Sequence, residues 1–261
     1  MKKKRISKKK SRIKTKRSLF ILFVLLIMAF IFLRKEDIEH NNERISTVSF
    51  VRGVDVSRYQ GDVDFKRLYE QNIRFAFIKF TEGKDYIDPN FQTYWNDSYN
   101  WNVKRGAYHF YRFEVSGAEQ GKFYIDNMGH LNDEDLPPAI DVEFYGDYVR
   151  KPAPKEEVKR ELRIMVDMLR DKYNKNPIIY CNRYVYNKYL EEDFEDVDIW
   201  YRYIGDGIPQ LPGDRQWTFW QFDDSAKLEG YGGPGANEFI DLNYFYGDME
   251  DLNNYGRDEN D

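Results

Sequence analysis

The stretch Pro138-Ala139-Ile140-Asp141-Val142-Glu143-Phe144 is an apolar run with two acids near its end. Its length and composition predict a buried β-strand. Because residues i and i+2 of a strand point to the same face, the carboxyl groups of Asp141 and Glu143 are expected to share one small volume. Burial and mutual repulsion raise the pKa values of such a pair. Paired carboxyls with separated pKa values suit acid–base cleavage of glycosidic bonds.

Eight short apolar runs recur along the chain, and eight strands is a number that closes a barrel. The runs are 52–56, 75–80, 106–110, 139–143, 178–181, 198–203, 218–222 and 239–242. Helical spacing of apolar residues predicts helices in the early gaps, at 65–71, 90–101, 116–128 and 154–173. The later gaps, 204–216 and 223–238, are rich in Gly, Pro and Asp and are predicted to be loops. The pattern predicts an α/β barrel whose last strands lack full crossover helices, so that antiparallel pairing is possible there.

The N-terminal residues differ sharply in composition from the rest of the chain. Residues 1–17 contain eleven Lys or Arg and no acid, and residues 19–33 (LFILFVLLIMAFIFL) are all apolar. The apolar run is short for a bilayer core, but Ser18 and the flanking Arg17, Arg34 and Lys35 extend it. Small residues typical of a cleavage site do not come after it, which favours an uncleaved signal anchor over a cleaved signal peptide. A basic arm that binds nucleic acid would have no need of the apolar run.

These features divide the chain into five parts. We predict a basic cytoplasmic tail at 1–17, a transmembrane signal anchor at 18–34, a linker at 35–50, a barrel domain at 51–250 and an acidic C-terminal tail at 251–261. Because cations stay on the cytoplasmic side, we predict a single-pass protein of the cell membrane whose barrel lies outside the cell.

The body of the chain is acidic. Eleven of the 40 Lys and Arg lie in the tail, which leaves 29 against 45 Asp and Glu, a charge of −16. Such a body is not expected to bind nucleic acid. With three His in the chain, a transition-metal centre is disfavoured and a Ca²⁺ site stays open; we predict no metal and no cofactor. Cys181 is the single cysteine, which excludes an intrachain disulfide.

Acids also stand at the ends of the first and last apolar runs, at Asp55 and Asp241. In barrels of this type the active site lies at the carboxyl ends of the strands, and closure brings the first and last strands side by side. A single Asp after a strand often caps a helix or forms a turn. Four acids at matching ends are better explained by one site. The candidate catalytic residues are Glu143, Asp141, Asp55 and Asp241.

Aromatic residues are abundant, with 21 Tyr and 5 Trp. Any single one is expected to pack in a core, but several flank the predicted strand ends, where rings suit stacking on sugars. Asn182, Arg202 and Gln221 lie near the same ends and offer hydrogen bonds to hydroxyl or N-acetyl groups. The predicted substrate-binding residues are Tyr108, Tyr180, Asn182, Tyr201, Trp220 and Gln221.

Motifs over about 52–247 resemble, in order, those of glycoside hydrolase family 25, the Chalaropsis-type lysozymes or N-acetylmuramidases. Asp55-Val56-Ser57-Arg58-Tyr59-Gln60-Gly61 is similar to the D-x-S-x-x-Q-G opening of that family, and Asp141-Val142-Glu143 to its acidic pair. The other matching segments are Phe77-Ile78-Lys79-Phe80-Thr81-Glu82-Gly83, Gly106-Ala107-Tyr108-His109-Phe110, Trp217-Thr218-Phe219-Trp220-Gln221 and Ile240-Asp241-Leu242-Asn243.

The resemblance implies a TIM-like (β/α)5(β)3 barrel that cleaves the β-1,4 bond between N-acetylmuramic acid and N-acetylglucosamine in peptidoglycan, in cell-wall remodelling or lysis. On matching positions, it implies that Glu143 is the general acid and base. Asp141 would orient the substrate's own N-acetyl group for attack on the anomeric carbon; direct attack by water or a carboxylate is the competing route. Asp55 and Asp241 would line the floor. From the residues themselves, an ionised Asp141 is expected to raise the pKa of Glu143.

Two other functions stay open at this point: a non-catalytic peptidoglycan-binding module on an enzyme-like barrel, and an N-acetylglucosaminidase or chitinase-type hydrolase. The expected partners are peptidoglycan glycan strands and, through the N-terminal helix, the membrane, and the barrel is expected to be monomeric. The sixth run, Ile199-Trp200-Tyr201-Arg202-Tyr203, departs from the commoner W-x-A-x-Y form of the family. This departure leaves the roles of Tyr201 and Arg202 open.

Overall fold

The computed structural model describes residues 49–257. Its strands are β1 (Phe50–Val56), β2 (Asp62–Val63), β3 (Phe75–Glu82), β4 (Tyr86–Ile87), β5 (Lys104–Phe110), β6 (Ala139–Asp141), β7 (Ile178–Asn182), β8 (Asp198–Arg202), β9 (Phe219–Ala226), β10 (Tyr231–Gly232) and β11 (Ile240–Tyr246). Its α-helices are α1 (Phe65–Glu70), α2 (Phe91–Asn100), α3 (Gly117–Met128), α4 (Lys155–Tyr173), α5 (Arg183–Val185) and α6 (Met249–Asn254).

Parts of the predicted domain plan lie outside the described residues. These are the tail at 1–17, the anchor at 18–34, most of the linker at 35–50 and the last four residues of the C-terminal tail. Within 49–257, no helix is both long and apolar enough to cross a membrane. At the other end, α6 buries Leu252 completely. The packed domain therefore continues past residue 250, the boundary predicted from sequence.

Eight strands close into a barrel in the order β1-β3-β5-β6-β7-β8-β9-β11, and β11 pairs with β1. The eight predicted apolar runs all correspond to barrel strands, so the prediction of an eight-stranded α/β barrel is confirmed. The four predicted helices are also present, as α1 to α4. Within the described residues an α-helix comes after each of the first five barrel strands, whereas β8 and β9 lead into loops and short turns.

The last strand runs against the others. The seven strands from β1 to β9 in the barrel are parallel, while β11 is antiparallel to both of its neighbours. From sequence, Asp241 was expected at the carboxyl end of this strand, but Asp241 is the second residue of β11. Because the strand is reversed, its beginning lies at the mouth where the other strands end.

Aromatic side chains fill the inside of the barrel. The ring of Phe77 stacks on that of Trp200 with 4.2 Å between centroids and meets that of Phe219 at 4.9 Å. These three side chains are almost completely buried. A glycine on the neighbouring strand makes the room, since a Cβ added to Gly106 would lie 2.8 Å from the Phe77 ring. The packed rings form a platform below the mouth of the barrel.

Replacing Phe77 by Ala is expected to lower the free energy of unfolding by about 3–5 kcal/mol, because the cavity left inside a close-packed barrel collapses only partly. The same change at Phe239, which is 41% exposed, serves as the control and should lower it by less than about 1 kcal/mol. Urea denaturation of both purified variants measures the difference. Equal losses in the two variants would contradict the packed, aromatic interior of the barrel.

Candidate active site

A cavity of about 290 Å³ opens at the mouth where the parallel strands end. Seven of the eight barrel strands, or the residues just after them, contribute side chains to it. Its lining residues are Asp55, Tyr108, Asp141, Glu143, Tyr180, Trp200, Arg202, Gln221, Asp224 and Asp241. The four acids proposed from sequence therefore reach one cavity. Within residues 49–257, no group of three or more His, Cys, Asp or Glu side chains is arranged to hold a metal ion.

Asp55 and Asp241 form a carboxyl pair on one side of the cavity. The two residues are direct partners in the antiparallel ladder between β1 and β11. Burial raises the pKa of both carboxyls, and the charge of Asp55 together with a hydrogen bond to it raises the pKa of Asp241 to about 9. Hydrogen bonds from Asn243, Gln221 and Asp241 oppose the increase in the pKa of Asp55. At neutral pH Asp241 thus keeps its proton and donates a hydrogen bond to the Asp55 carboxylate.

Two side-chain amides hold the Asp55 carboxylate in place. Asp55 Oδ2 accepts hydrogen bonds from Gln221 Nε2 at 2.9 Å and from Asn243 Nδ2 at 2.8 Å. The oxygens of the same amides are also used, because Tyr180 Oη donates to Gln221 Oε1 at 2.9 Å and Trp200 Nε1 donates to Asn243 Oδ1 at 2.7 Å. With each amide oxygen occupied by a donor, its NH₂ group is directed at Asp55. The network fixes one buried carboxylate and the residues around it.

Asp141 and Glu143 form the second carboxyl pair. The strand β6 ends at Asp141, so Glu143 lies just beyond it rather than on it, yet both line the cavity. Asp141 is 9% exposed, and its Oδ1 atom is buried without a hydrogen-bond partner within residues 49–257. Burial, and then repulsion from Glu143, raises the pKa of Asp141 well above its ordinary value. Such an oxygen is unusual in a protein and is able to accept a hydrogen bond from water or from a ligand.

Glu143 differs from Asp141 in its electrostatic surroundings. Burial also raises the pKa of Glu143, but Arg202 opposes that increase by stabilising the charged form. Burial and repulsion from Glu143 raise the pKa of Asp141 well above its ordinary value. Both carboxyls therefore keep a proton at higher pH than usual, and an ionised Asp141 beside a protonated Glu143 stays a prediction.

Three of the six predicted substrate-binding residues line the cavity, namely Tyr108, Tyr180 and Gln221. The other three do not. Asn182 Oδ1 accepts hydrogen bonds from the backbone N–H groups of Tyr184 and Val185 at the start of α5, so its side chain is a helix cap.

Tyr201 and Trp220 face the other side of the sheet. Because neighbouring residues on a strand point to opposite faces, Trp220 cannot share the cavity with Gln221. Its Nε1 donates to Tyr203 O at 2.8 Å, outside the barrel. Tyr201 likewise lies between two cavity residues on β8 and is buried against the ring of Tyr186.

Residues that sequence reasoning did not select also belong to the site. Trp200 and Asp224 line the cavity, and Asn243 holds Asp55 from below it. Arg202 was named as a hydrogen-bond donor without a settled role, and it lines the cavity as well. The sequence did contain a signal for Asn243. It lies two residues after Asp241, and residues two apart on a strand point to the same face.

A larger cavity of about 540 Å³ lies at the opposite end of the barrel, beside the start of β5. Its lining includes the buried ion pair between Arg105 Nε and Asp135 Oδ1, which are 2.6 Å apart. Arg105 also donates to the backbone of Trp95. Asp135 is thus engaged by an arginine. We place the active site in the smaller cavity, because it holds the paired acids and lies at the carboxyl ends of the strands.

The chain is similar to known proteins both in sequence and in fold. The model of the family "Glycosyl hydrolases family 25" matches residues 54–231. The solved structure of a family 25 glycosyl hydrolase from Bacillus anthracis is 39% identical, with a TM-score of 0.74 over 79% of this chain and 93% of that one. A bacterial lysozyme from Streptomyces coelicolor is 25% identical, with a TM-score of 0.71 over 80% and 97% of the two chains.

A curated relative leads to the same family. Lysozyme M1 of Streptomyces globisporus is 27% identical over 217 residues, which are 76% of this chain and 69% of that protein. The family model matches more than half of the chain, and its matched segment includes Asp55, Asp141 and Glu143, three of the four candidate catalytic acids. The chain therefore belongs to glycosyl hydrolase family 25.

Proposed function

We propose that this protein is a muramidase that cleaves the β-1,4 bond between N-acetylmuramic acid and N-acetylglucosamine in peptidoglycan, in cell-wall remodelling or lysis. The observation that carries the proposal is the convergence of four acids from β1, β11 and the end of β6 on one cavity. Membership of family 25 and the lysozyme activity named for relatives support it. Because one chain supplies all four acids, we propose that the barrel works as a monomer.

Glu143 is proposed as the general acid and base. Its raised pKa favours retention of a proton above the ordinary range of a glutamic acid. In the first step it donates this proton to the glycosidic oxygen as the bond to the anomeric carbon breaks. In the second step the resulting carboxylate removes a proton from the water that completes hydrolysis.

Asp141 is proposed to bind the N-acetyl group of the sugar being cleaved. Its orphaned Oδ1 accepts the substrate's amide N–H, which orients the carbonyl oxygen of that group toward the anomeric carbon. A hydrogen bond to the charged form of a carboxyl lowers its pKa. Substrate binding therefore favours the state of the pair in which Asp141 is ionised and Glu143 is protonated, which is the state that the first step needs.

Asp55 and Asp241 are proposed to form the floor of the site. The Asp55 carboxylate, held by Gln221 and Asn243, is negative and fixed in position. A fixed negative group stabilises the positive charge that develops on the sugar ring as the bond breaks. Asp241 carries the proton that allows the two carboxyls to lie side by side.

Replacing Glu143 by Gln removes the titratable proton while keeping the shape of the side chain. We expect the rate of release of reducing ends from purified peptidoglycan to fall by about 10²–10⁴-fold. The matched control is Glu229→Gln, because Glu229 is exposed and bonds Gln71 through its backbone rather than its carboxyl. Retained turnover in the Glu143 variant would remove that residue from its proposed role.

Product analysis separates muramidase activity from the other two functions. After digestion and borohydride reduction, mass spectrometry of defined muropeptides is expected to show reduced muramic acid at every new end. Reduced glucosamine at those ends would instead identify a glucosaminidase or chitinase-type enzyme. Binding of glycan fragments by fresh wild-type protein with no new ends would identify a non-catalytic module.

We further propose that residues 18–34 hold the protein in the cell membrane, with residues 1–17 in the cytoplasm and the barrel facing the cell wall. The support is the sequence alone, namely the uniformly apolar run at 19–33 and the cations that precede it.

The full chain is expected to sediment with membranes and to resist extraction by high salt and alkaline carbonate. Replacing both Leu25 and Leu26 by Arg should prevent insertion, because each charge is unfavourable by roughly 3 kcal/mol at the centre of a membrane helix. Replacing the same two residues by Ile is the control and should change nothing. Recovery of a shortened wild-type chain from the medium would show a cleaved signal and contradict the anchor.

A further inference from the structure

The cavity contains five carboxyl side chains and one cation. Among the described residues that line it, Arg202 is the only Lys or Arg, whereas Asp55, Asp141, Glu143, Asp224 and Asp241 are acids. A buried general acid surrounded by other acids holds its proton very tightly, because both desolvation and repulsion disfavour its charged form. Such an acid donates poorly, since the most effective pKa lies near the working pH. A nearby cation offsets the increase in the pKa of the acid, because it stabilises the charged form.

Arg202 is held beside the acids by a counter-charge. It lies on β8, and its Nη2 atom is 2.5 Å from Oδ2 of Asp224 on the neighbouring strand β9. The two side chains are 37% and 41% exposed, so the ion pair stands at the edge of the cavity. This contact uses one of the five N–H donors of the guanidinium.

Charged and titratable groups from seven barrel strands line the same cavity as Glu143. Those lining the cavity are Asp55 on β1, Tyr108 on β5, Asp141 on β6, Tyr180 on β7, Arg202 on β8, Asp224 on β9 and Asp241 on β11. Lys79 on β3 also acts on Glu143, but its Nζ is bound at 2.8 Å by Glu82. Of the two cations, Arg202 lowers the pKa of Glu143 more than Lys79 does.

We propose that Arg202 is a positioning residue that stabilises the charged form of Glu143, and that Asp224 limits this effect. The opposing charges of Arg202 and Asp224 then set the pH above which Glu143 loses the proton that it donates. The inference rests on the role proposed above for Glu143. In the W-x-A-x-Y motif that the sixth run resembles, the position of Arg202 is more commonly an alanine.

The two partners have opposite electrostatic effects on Glu143, and this gives a sharp test. Removing the cation by Arg202→Ala raises the pKa of Glu143, so the alkaline limb of the kcat/KM profile moves to higher pH. Removing the counter-charge by Asp224→Asn leaves the arginine uncompensated, which lowers that pKa and moves the limb to lower pH. Arg202→Lys keeps the charge and is expected to restore the wild-type profile.

The experiment measures kcat/KM against pH for the full chain on a defined peptidoglycan oligosaccharide. A matched control is Arg163→Ala, because Arg163 is 28% exposed and pairs with Asp196 outside the cavity; it should leave the profile unchanged. Above the wild-type midpoint, the Arg202→Ala variant is expected to keep several-fold more of its maximal activity than the wild type. If Arg202→Ala does not fold, Arg202→Gln takes its place.

A second readout does not depend on turnover. In protein labelled with carbon-13 at the glutamate carboxyl, NMR titration tracks the pKa of Glu143, and the Glu143→Gln variant identifies its signal. Opposite shifts in the two variants support the proposal, even if the wild type cleaves no glycan, in which case the proposed function alone fails. Shifts in the same direction, or lower rates with an unchanged profile and unchanged titration, would show that the ion pair is only structural and overturn it.

Discussion

The register between β1 and β11 is the constraint on which the rest of the site depends. It sets Asp55 directly opposite Asp241 in the antiparallel ladder. Because side chains alternate between the two faces of a strand, a shift of one residue would turn one of these carboxyls out of the barrel. The same register places Asn243 where its amide donates a hydrogen bond to Asp55. There the side-chain oxygen of Asn243 accepts a hydrogen bond from Trp200 on β8. The pairing that closes the barrel therefore also brings Asp55 and Asp241 together at its mouth.

Several buried acids in one small volume are unfavourable for folding, and the surrounding structure compensates in two ways. Protonation removes one charge, because Asp241 retains its proton beside Asp55. Hydrogen bonds stabilise the other, because two amides, each anchored through its own oxygen, donate to Asp55. Among residues 49–257, no donor compensates Asp141 in this way at Oδ1. The Asp55–Asp241 pair thus finds its hydrogen-bond partners within the protein, whereas the Asp141–Glu143 pair is open to a substrate.

The sequence alone was enough to predict the barrel and the four acids. It was not enough to predict toward which face of the sheet several other side chains point. Eight apolar runs and four helical patterns were visible, since they reflect burial and local spacing. The late connections left antiparallel pairing open but did not fix the direction of β11, because strand direction depends on how the chain returns across the barrel. Trp220 and Gln221 were both selected for chemical type, although neighbours on one strand face opposite sides. The pairing of Arg202 with Asp224 depends on the register of β8 and β9 and could not be read from either segment.

The proton between Asp141 and Glu143 links this architecture to catalysis. A carboxyl buried without a donor stays protonated, whereas one that faces an arginine ionises more readily. In the structure burial raises the pKa of both carboxyls, repulsion from Glu143 adds to the increase for Asp141, and Arg202 opposes the increase for Glu143. Under the roles proposed above, the N–H of an arriving N-acetyl group would stabilise the Asp141 carboxylate and favour the proton on Glu143. A sugar that lacks this amide would bind without that stabilisation.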